Sequence, residues 1–278
     1  MFRTRWGLPL LTVPLLIGGL ILVIARTPSS LPAFAVVHPV APGLLQVSTA
    51  PVARASTGKV GVAPGPLTVQ YTFDGGVRRP ITDAAGKHEL RPLGENGGAL
   101  RLVRQGVGLA LSYPARCKLP HERDCPRAIL QGSRDDTLNP GKKPLAYGAS
   151  VRMTHGDLSD GANVLQKGYS VGGKSQFKLQ VDHRLGHPSC VIAGTHQQIY
   201  RAEPFIDVAD GKWHALACTR TPDQLALAVD GVERAVVAVP RTLSIANAEP
   251  LRIGGKGPGK GNDQFAGDID NVFLTIGG

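Results

Sequence analysis

Two glycine-rich segments carry the residues most suggestive of chemistry. The first is Gly168-Tyr-Ser170-Val-Gly172, which fits the G-x-S-x-G pattern of serine hydrolases. That pattern exposes a nucleophilic serine only where a strand turns sharply into a helix. Residues 174 to 182 instead alternate polar and apolar side chains, as a strand does. The glycines therefore indicate a hairpin, and no hydrolase activity is predicted at Ser170.

The second segment covers residues 254 to 261 (GGKGPGKG), which come within one residue of a phosphate-binding P-loop. It lacks the Ser or Thr that would hold magnesium, and β-like sequence follows where a helix would have to begin. The segment is predicted to be a basic glycine-rich loop. Lys256 and Lys260 are its candidate ligand-binding residues.

The acidic residues do not form the pair that hydrolysis of a glycosidic bond requires. Such chemistry needs two carboxyl groups on either side of one sugar linkage, usually on one strand as Glu-x-Asp-x-x-Glu. The chain has no such strand, and its nearest pair, Asp268 and Asp270, lacks a glutamate. The sequence therefore predicts a protein that is not an enzyme.

The N-terminal segment indicates export. Residues 7 to 25 carry no charge and are mostly aliphatic, and Arg3 and Arg5 precede them. Residues 1–26 are predicted to be either a retained signal-anchor or a cleaved signal peptide. The first reading gives a single-pass protein of the cell membrane with its domain outside, and the second gives a secreted protein. Residues 27–65 are rich in Pro and Ala and are predicted to be a disordered linker.

The charge is distributed unevenly along the chain. Half of the formal net charge of +10 lies in the first 65 residues, which contain no Asp or Glu. The remainder is mildly basic, which suits an anionic surface polymer as well as it suits mere solubility. Nucleic acid is not a predicted partner, because the chain has no aromatic-lined basic stripe and is expected outside the cytoplasm.

Beyond residue 66 the sequence has the pattern of short strands separated by turns. Residues 67–73, 176–182 and 225–229 each place apolar side chains at alternate positions, and Asp230-Gly231 supplies a hairpin turn. No window shows a helical stripe over three turns. Residues 66–278 are therefore predicted to form one all-β domain, a two-sheet antiparallel sandwich.

The order of motifs in this domain resembles the laminin G-like family of concanavalin A-like jelly rolls. The segments that carry the resemblance are Tyr71-Thr-Phe-Asp74, Asp83-Ala-Ala-Gly86, Gly98-Ala-Leu-Arg-Leu102, Asp210-Gly-Lys-Trp-His214, Cys218-Thr-Arg220, Leu225 to Asp230-Gly231, Pro250-Leu-Arg-Ile-Gly254 and Phe265-Ala-Gly-Asp-Ile-Asp270-Asn-Val272. The resemblance covers roughly residues 67 to 278 and implies a jelly-roll fold. It also places Trp213 at the start of a strand, where we expect it to fill the space between the sheets.

The resemblance also bears on cofactors. Relatives typically hold calcium with an acidic residue just before a mid-domain strand, but this chain has Lys174 and Ser175 at the matching place. A cation does not favour a lysine as its neighbour. No cofactor is predicted, and calcium stays open as an alternative.

The four cysteines are expected to form two disulfides in an exported protein. Cys117 and Cys125 enclose a polar loop, and in the resembled fold the strands of Cys190 and Cys218 are close neighbours. The pairing predicted is therefore Cys117 with Cys125 and Cys190 with Cys218. The alternative is a zinc site of Cys117, His121 and Cys125, which would need a fourth ligand and a reducing compartment.

These observations favour a non-catalytic recognition module that binds a glycan or an anionic polymer of the cell envelope. Four loops at one edge of the sandwich are the expected binding surface: residues 155–163, 182–188, 195–203 and 256–263. Tyr200 is the aromatic side chain in them suited to stacking on a sugar. Packing of Tyr200 on its own loop is the alternative for that residue. Two other functions stay open, an adhesion domain that binds another surface protein and, behind it, a cryptic glycan hydrolase.

Overall fold

The computed structural model describes residues 65–77, 80–159, 161–172, 174–182, 185–195 and 198–277. The predicted anchor or signal peptide, and the predicted linker up to residue 64, lie outside these residues. Within the described ranges, none of the helices has the length and apolar character needed to cross a membrane.

The described residues form sixteen strands and two short 3₁₀ turns, Glu122–Asp124 and Asp136–Leu138. In chain order the strands are β1 (Leu67–Tyr71), β2 (Ile81–Thr82), β3 (Glu89–Glu95), β4 (Arg101–Gln105), β5 (Gly108–Tyr113), β6 (Arg127–Gly132), β7 (Leu145–Thr154), β8 (Ala162–Gly168), β9 (Gln176–Val181), β10 (Pro188–Ala193), β11 (Ile199–Ala202), β12 (Asp210–Arg220), β13 (Gln224–Val229), β14 (Val232–Ala238), β15 (Leu251–Ile253) and β16 (Gly267–Ile276).

The strands form two antiparallel sheets, as the alternating sequence predicts. The first sheet has the order β14-β13-β12-β7-β16-β5-β4, and β1 also pairs with β16. The second sheet has the order β11-β10-β9-β8-β15-β6-β3-β2. The chain crosses repeatedly between the sheets, so neighbours in space such as β7 and β16 are far apart in sequence. This arrangement is a jelly-roll sandwich, and it confirms the predicted fold.

Apolar side chains at alternate positions of both sheets meet in the space between them. The second sheet contributes Leu165, Phe177 and Leu179, which are fully buried, and the first contributes Tyr147 and Leu216. The rings of Tyr147 and Phe177 lie 5.2 Å apart between their centroids and so join the two layers. Burial of such side chains is the main favourable contribution to the stability of the fold.

Trp213 does not lie between the sheets, so that expectation is wrong. It is half-buried, it is not among the core side chains, and it pairs with Arg152 of β7, whose guanidinium lies 5.1 Å from the ring centroid. The reason is the two-residue period of a strand. Because Leu216 of β12 is buried in the core, Trp213 three positions earlier must point outward.

Both predicted disulfides form. Cys117 bonds to Cys125 across eight residues of sequence, and Cys190 bonds to Cys218 across 28. The second bond joins β10 of the second sheet to β12 of the first, so it links the two layers through the core. Because the first pair is oxidised, its thiols are not ligands, and the alternative zinc site is excluded.

Ser170 lies in the turn between two adjacent antiparallel strands, β8 and β9. A strand follows this glycine-rich segment where an active serine would require a helix. The predicted hairpin is confirmed.

Candidate functional site

The loops predicted to form a binding edge meet at one end of the sandwich. The backbone N–H of Asn163 donates to the carbonyl of Asp263 at 2.9 Å, and the hydroxyl of Ser159 donates to the carbonyl of Gln264 at 3.3 Å. These bonds fasten the loop before β8 to the glycine–lysine loop that follows β15. Two of the four predicted loops therefore form one connected surface.

The other predicted loops extend the same edge. His155 contacts the carboxylate of Asp207 at 2.7 Å, and the N–H of Val208 donates to the carbonyl of Gly186 at 2.9 Å. Arg201 lies 3.4 Å from Asp182 and 3.2 Å from Glu203. The segment that precedes β12 thus connects the loop before β8 with the loop before β10.

Lys256 has a carboxylate partner within its own loop. Its ammonium lies 3.1 Å from Asp263, and Lys178 of β9 reaches the same carboxylate at 3.6 Å. Burial lowers the pKa of Lys178, and the charge of Asp263 opposes that shift. Lys256 is therefore part of a compact cluster of two cations and one anion, and not a free cation on a flexible loop.

Lys260 belongs to the same loop, and its side chain is 71% exposed. Its ammonium is 4.0 Å from Glu122 of the loop closed by Cys117 and Cys125, and the N–H of Gly261 donates to that carboxylate. The glycine–lysine loop and the disulfide loop therefore touch, although more than a hundred residues of sequence separate them.

A cavity of about 500 Å³ opens between these two loops. Its walls combine apolar side chains with charged and amide groups. The lining residues are Ala115, Arg116, Cys117, Leu119, Pro120, Glu122, Cys125, Pro126, Arg127, Ser159, Gly261, Asn262, Asp263 and Gln264. A concave site that is partly apolar and has a few fixed polar groups is typical of small-ligand binding.

The walls of the cavity are held in place by hydrogen bonds as well as by the disulfide. Arg127 is 3% exposed and donates to the carbonyls of Glu122 and Cys125. The amide of Gln264 accepts from the N–H of Ala128 at 3.1 Å and donates to its carbonyl at 2.9 Å. These contacts fix both loops to β6, so the polar groups of the cavity are preorganised.

Tyr200 lies apart from the two lysines. It belongs to β11, an edge strand of the second sheet, and three strands (β10, β9 and β8) lie between β11 and β15, after which the glycine–lysine loop begins. Its side chain is half-buried and packs against the hydrophobic core. The structure thus brings Lys256 and Lys260 onto one loop but does not bring Tyr200 to the cavity.

The outer face of the second sheet carries a row of polar side chains that sequence reasoning missed. Gln131, Arg252, Gln166 and Lys178 lie side by side across β6, β15, β8 and β9. The guanidinium of Arg252 donates to Gln131 at 2.8 Å and to Glu249 at 3.2 Å, and it lies 5.4 Å from the ring centroid of Tyr169. The available signal was the alternation of Gln176, Lys178 and Gln180 with apolar residues along β9.

Comparison with known families agrees with this architecture. Residues 134–274, half of the chain, match the family model of the concanavalin A-like lectin/glucanases superfamily, of the laminin G type. The chain therefore belongs to that family, as the order of its motifs indicates. No curated protein matches the sequence.

Among solved structures, the chain is similar to domain 4 of AbnA, an extracellular GH43 arabinanase of Geobacillus stearothermophilus determined in complex with arabinotriose. The identity is 14%, the match covers 75% of this chain and 91% of the other, and the TM-score is 0.56. At this level of identity the similarity shows the fold alone.

Two toxins have similar folds. One is the binding domain of Paraclostridial Mosquitocidal Protein 1, at 10% identity, coverage of 75% and 48%, and a TM-score of 0.55. The other is botulinum neurotoxin type C, which depends on interaction with two ganglioside molecules to enter cells, at 9% identity, coverage of 75% and 47%, and a TM-score of 0.53. The chain spans about half the length of these two structures.

Proposed function

We propose that the domain is a non-catalytic glycan-binding module that acts outside the cytoplasm, on a protein that is either anchored by its N-terminal segment or secreted. The observation that carries the proposal is the cavity between the disulfide loop and the glycine–lysine loop. A cavity of this size can enclose one or two sugar residues, which a flat protein surface cannot do. The match to lectin-type relatives supports the same choice.

The chemistry of the cavity fits a sugar. Leu119, Pro120 and Pro126 offer apolar contact to the C–H face of a ring, and the guanidinium of Arg116 and the carboxylate of Glu122 offer hydrogen-bonding groups to sugar hydroxyls. A site that hydrogen-bonds the hydroxyl groups of one sugar discriminates strongly against sugars that lack them. Such a sugar leaves buried polar groups of the site unpaired.

The charge of the cavity favours a neutral or weakly charged glycan over a strongly anionic polymer. Arg116 and Arg127 line it, but Glu122 and Asp263 line it as well. Both lysines expected to attract an anionic polymer also have carboxylate neighbours. We therefore place neutral glycans first among the ligands to test, and anionic envelope polymers second.

The test is a glycan array probed with the full-length protein and followed by titration of the strongest ligand. Leu119→Ser is expected to weaken that affinity by about tenfold or more, because Leu119 is 51% exposed and lies in the cavity wall. Leu102→Ser, at a leucine of β4 that is 40% exposed and outside the cavity, is the matched control and should bind as the native protein does. Equal affinity of both variants would remove the cavity from the proposal.

A protein partner is the second candidate. The edge strand β14 exposes Val232 and Val236, which are 49% and 43% accessible, beside unpaired backbone groups. Apolar side chains on an unpaired sheet edge are a recognised surface for another chain. Failure of the array, together with loss of partner capture on Val236→Lys, would favour this function.

A further inference from the structure

The first sheet contains a break along its closing strand, β16. One edge of β16 pairs with β5 as far as Ile269, and the same edge pairs with β1 from Val272 onward. Asp270 and Asn271 lie between these two pairings, where β1 ends and β5 begins. The ladder of β16 with β7 is also irregular between Asp270 and Phe273.

Asp270 is an acidic side chain that its protein surroundings leave incompletely satisfied. The residue is 6% exposed, one carboxylate oxygen (Oδ2) accepts from the amide of Asn271 at 3.1 Å, and the other (Oδ1) is buried with no hydrogen-bond partner. Burial, and to a lesser extent the negative charge of Asp74, raise the pKa of Asp270 to about 6, although a hydrogen bond from the backbone of Asn271 opposes the shift. Buried carboxylate oxygens in native proteins nearly always have a donor, a water or a metal ion.

Asp74 is the second carboxylate at this break. Its Oδ1 accepts from the N–H of Leu109 at 2.8 Å, and it lies so close to Gly108 that a Cβ on that glycine would be 2.4 Å away. Gly108 and Leu109 begin β5, so Asp74 lies beside the gap in which Asp270 is found. Arg152, a cation on the same face, is already bound to Asp268 at 2.7 Å.

A third oxygen lies on the other side of Asp270. Ser150 of β7 is directly opposite Asp270 in the ladder, so the two side chains share the outer face of the first sheet. Ser150 is half-buried. Two carboxylates and a hydroxyl are the type of oxygen donors that a hard divalent cation selects.

We propose that Asp74 and Asp270 hold a calcium ion at the junction of β1, β5 and β16. The ion would neutralise two neighbouring carboxylates and link the ends of β1 and β5, which pair with successive stretches of β16. The site is distinct from the place where the resembled family usually holds calcium. There, Lys174 is bound to Glu249 at 2.6 Å, and the hydroxyl of Ser175 exchanges hydrogen bonds with the backbone of Ala246.

Thermal unfolding of the full-length protein tests the proposal. At pH 7.5, 5 mM CaCl2 is expected to raise the melting temperature by about 3–8 °C relative to EGTA, as for a site of roughly 10⁻⁴–10⁻³ M affinity. Magnesium should raise it less, because the site offers few fixed ligands for an octahedral ion. Asp270→Asn and Asp74→Asn should each abolish the calcium-dependent shift.

Asp268→Asn is the matched control. Asp268 lies on the same strand and face and is 8% exposed, but it binds Arg152. This variant is expected to unfold at a lower temperature and still to respond to calcium. Because Asp74 is exposed, Asp74→Asn gives a folded variant even where Asp270→Asn does not fold. No calcium shift in the native protein, or a shift that survives in Asp74→Asn, overturns the proposal.

Discussion

The two sheets differ in how far the residues on their outer faces are exposed to solvent. Every residue of β8, β10 and β15 in the second sheet is buried, whereas β12 of the first sheet has exposed residues along its whole length. On the second sheet, outward side chains are held by hydrogen bonds to other residues: Gln166 accepts from the amide of Asn163, and Arg252 donates to Gln131. On the first sheet, outward residues such as Ala215 and Thr219 meet solvent.

The difference between the two outer faces indicates which side of the sandwich is better suited to bind a ligand. A polar face whose side chains are already held in place costs little entropy to organise on binding, whereas a solvated face must first be ordered. The candidate cavity opens beside β6, on the second sheet, where the two loops are fixed to the strands. On the outer face of the first sheet, Asp74 and Asp270 form the proposed calcium site, for which we expect a structural role.

The largest expected effect contrasts an inward with an outward aromatic side chain. Phe177→Ala should reduce the free energy of unfolding by about 3–5 kcal/mol, because Phe177 is fully buried between the sheets. Trp213→Ala should reduce it by only about 1 kcal/mol, the order expected for a partly exposed ring that stacks on one guanidinium. Urea unfolding measures both. Equal losses would mean that Trp213 supports the fold as a core residue does.

The next effect concerns the bond that joins the two sheets. Replacing Cys190 and Cys218 together by serine should lower the free energy of unfolding by about 2–4 kcal/mol. The control replaces Cys117 and Cys125 together and should cost less, because that bond closes a loop of eight residues instead of 28. Denaturant titration of the two variants decides the order. A larger loss in the control would show that the disulfide loop, and not the link between sheets, limits stability.

The smallest expected effect is a pH dependence at the rim of the first sheet. The imidazole of His214 lies 2.8 Å from Asp230 and 3.1 Å from Asp210. Burial alone would lower the pKa of His214, but hydrogen bonds to Asp230 and Asp210 outweigh burial and raise it. Because the folded-state pKa is the higher one, this stabilisation is complete below the unfolded value near 6.5 and is lost as the pH rises through the folded value.

The corresponding measurement is the difference in melting temperature between the native protein and His214→Gln from pH 5.5 to 8.5. The native protein should gain stability relative to the variant as the pH falls across this range. A difference that is constant with pH would show that the charge of His214 does not contribute.

The strands could be predicted from the sequence more surely than which of their side chains point into the core. The alternation in residues 176–182 correctly placed Phe177 and Leu179 inward, because a two-residue period depends on neighbouring positions alone. The same period, applied to Leu216, would have placed Trp213 outward. The expectation failed because a large aromatic residue was assumed to be buried.

The loops show what a local pattern cannot reveal. Residues 256–263 were correctly expected to lie at the edge with residues 155–163, since the resemblance fixes which loops share an end of the sandwich. The contact of Gly261 with Glu122 and the pairing of Lys256 with Asp263 depend on how loop backbones turn. Neither has a periodic signal. The cavity therefore became visible only from the three-dimensional arrangement.

The most direct test of glycan binding is a map of the binding surface by backbone amide NMR. The native protein is titrated with the strongest ligand from the array, and the shifted amides are located on the structure. We predict that the shifts concentrate on residues 116–125 and 259–264, on the two sides of the cavity. Shifts that concentrate instead on β14, or that spread over the outer face of the first sheet, would contradict the account.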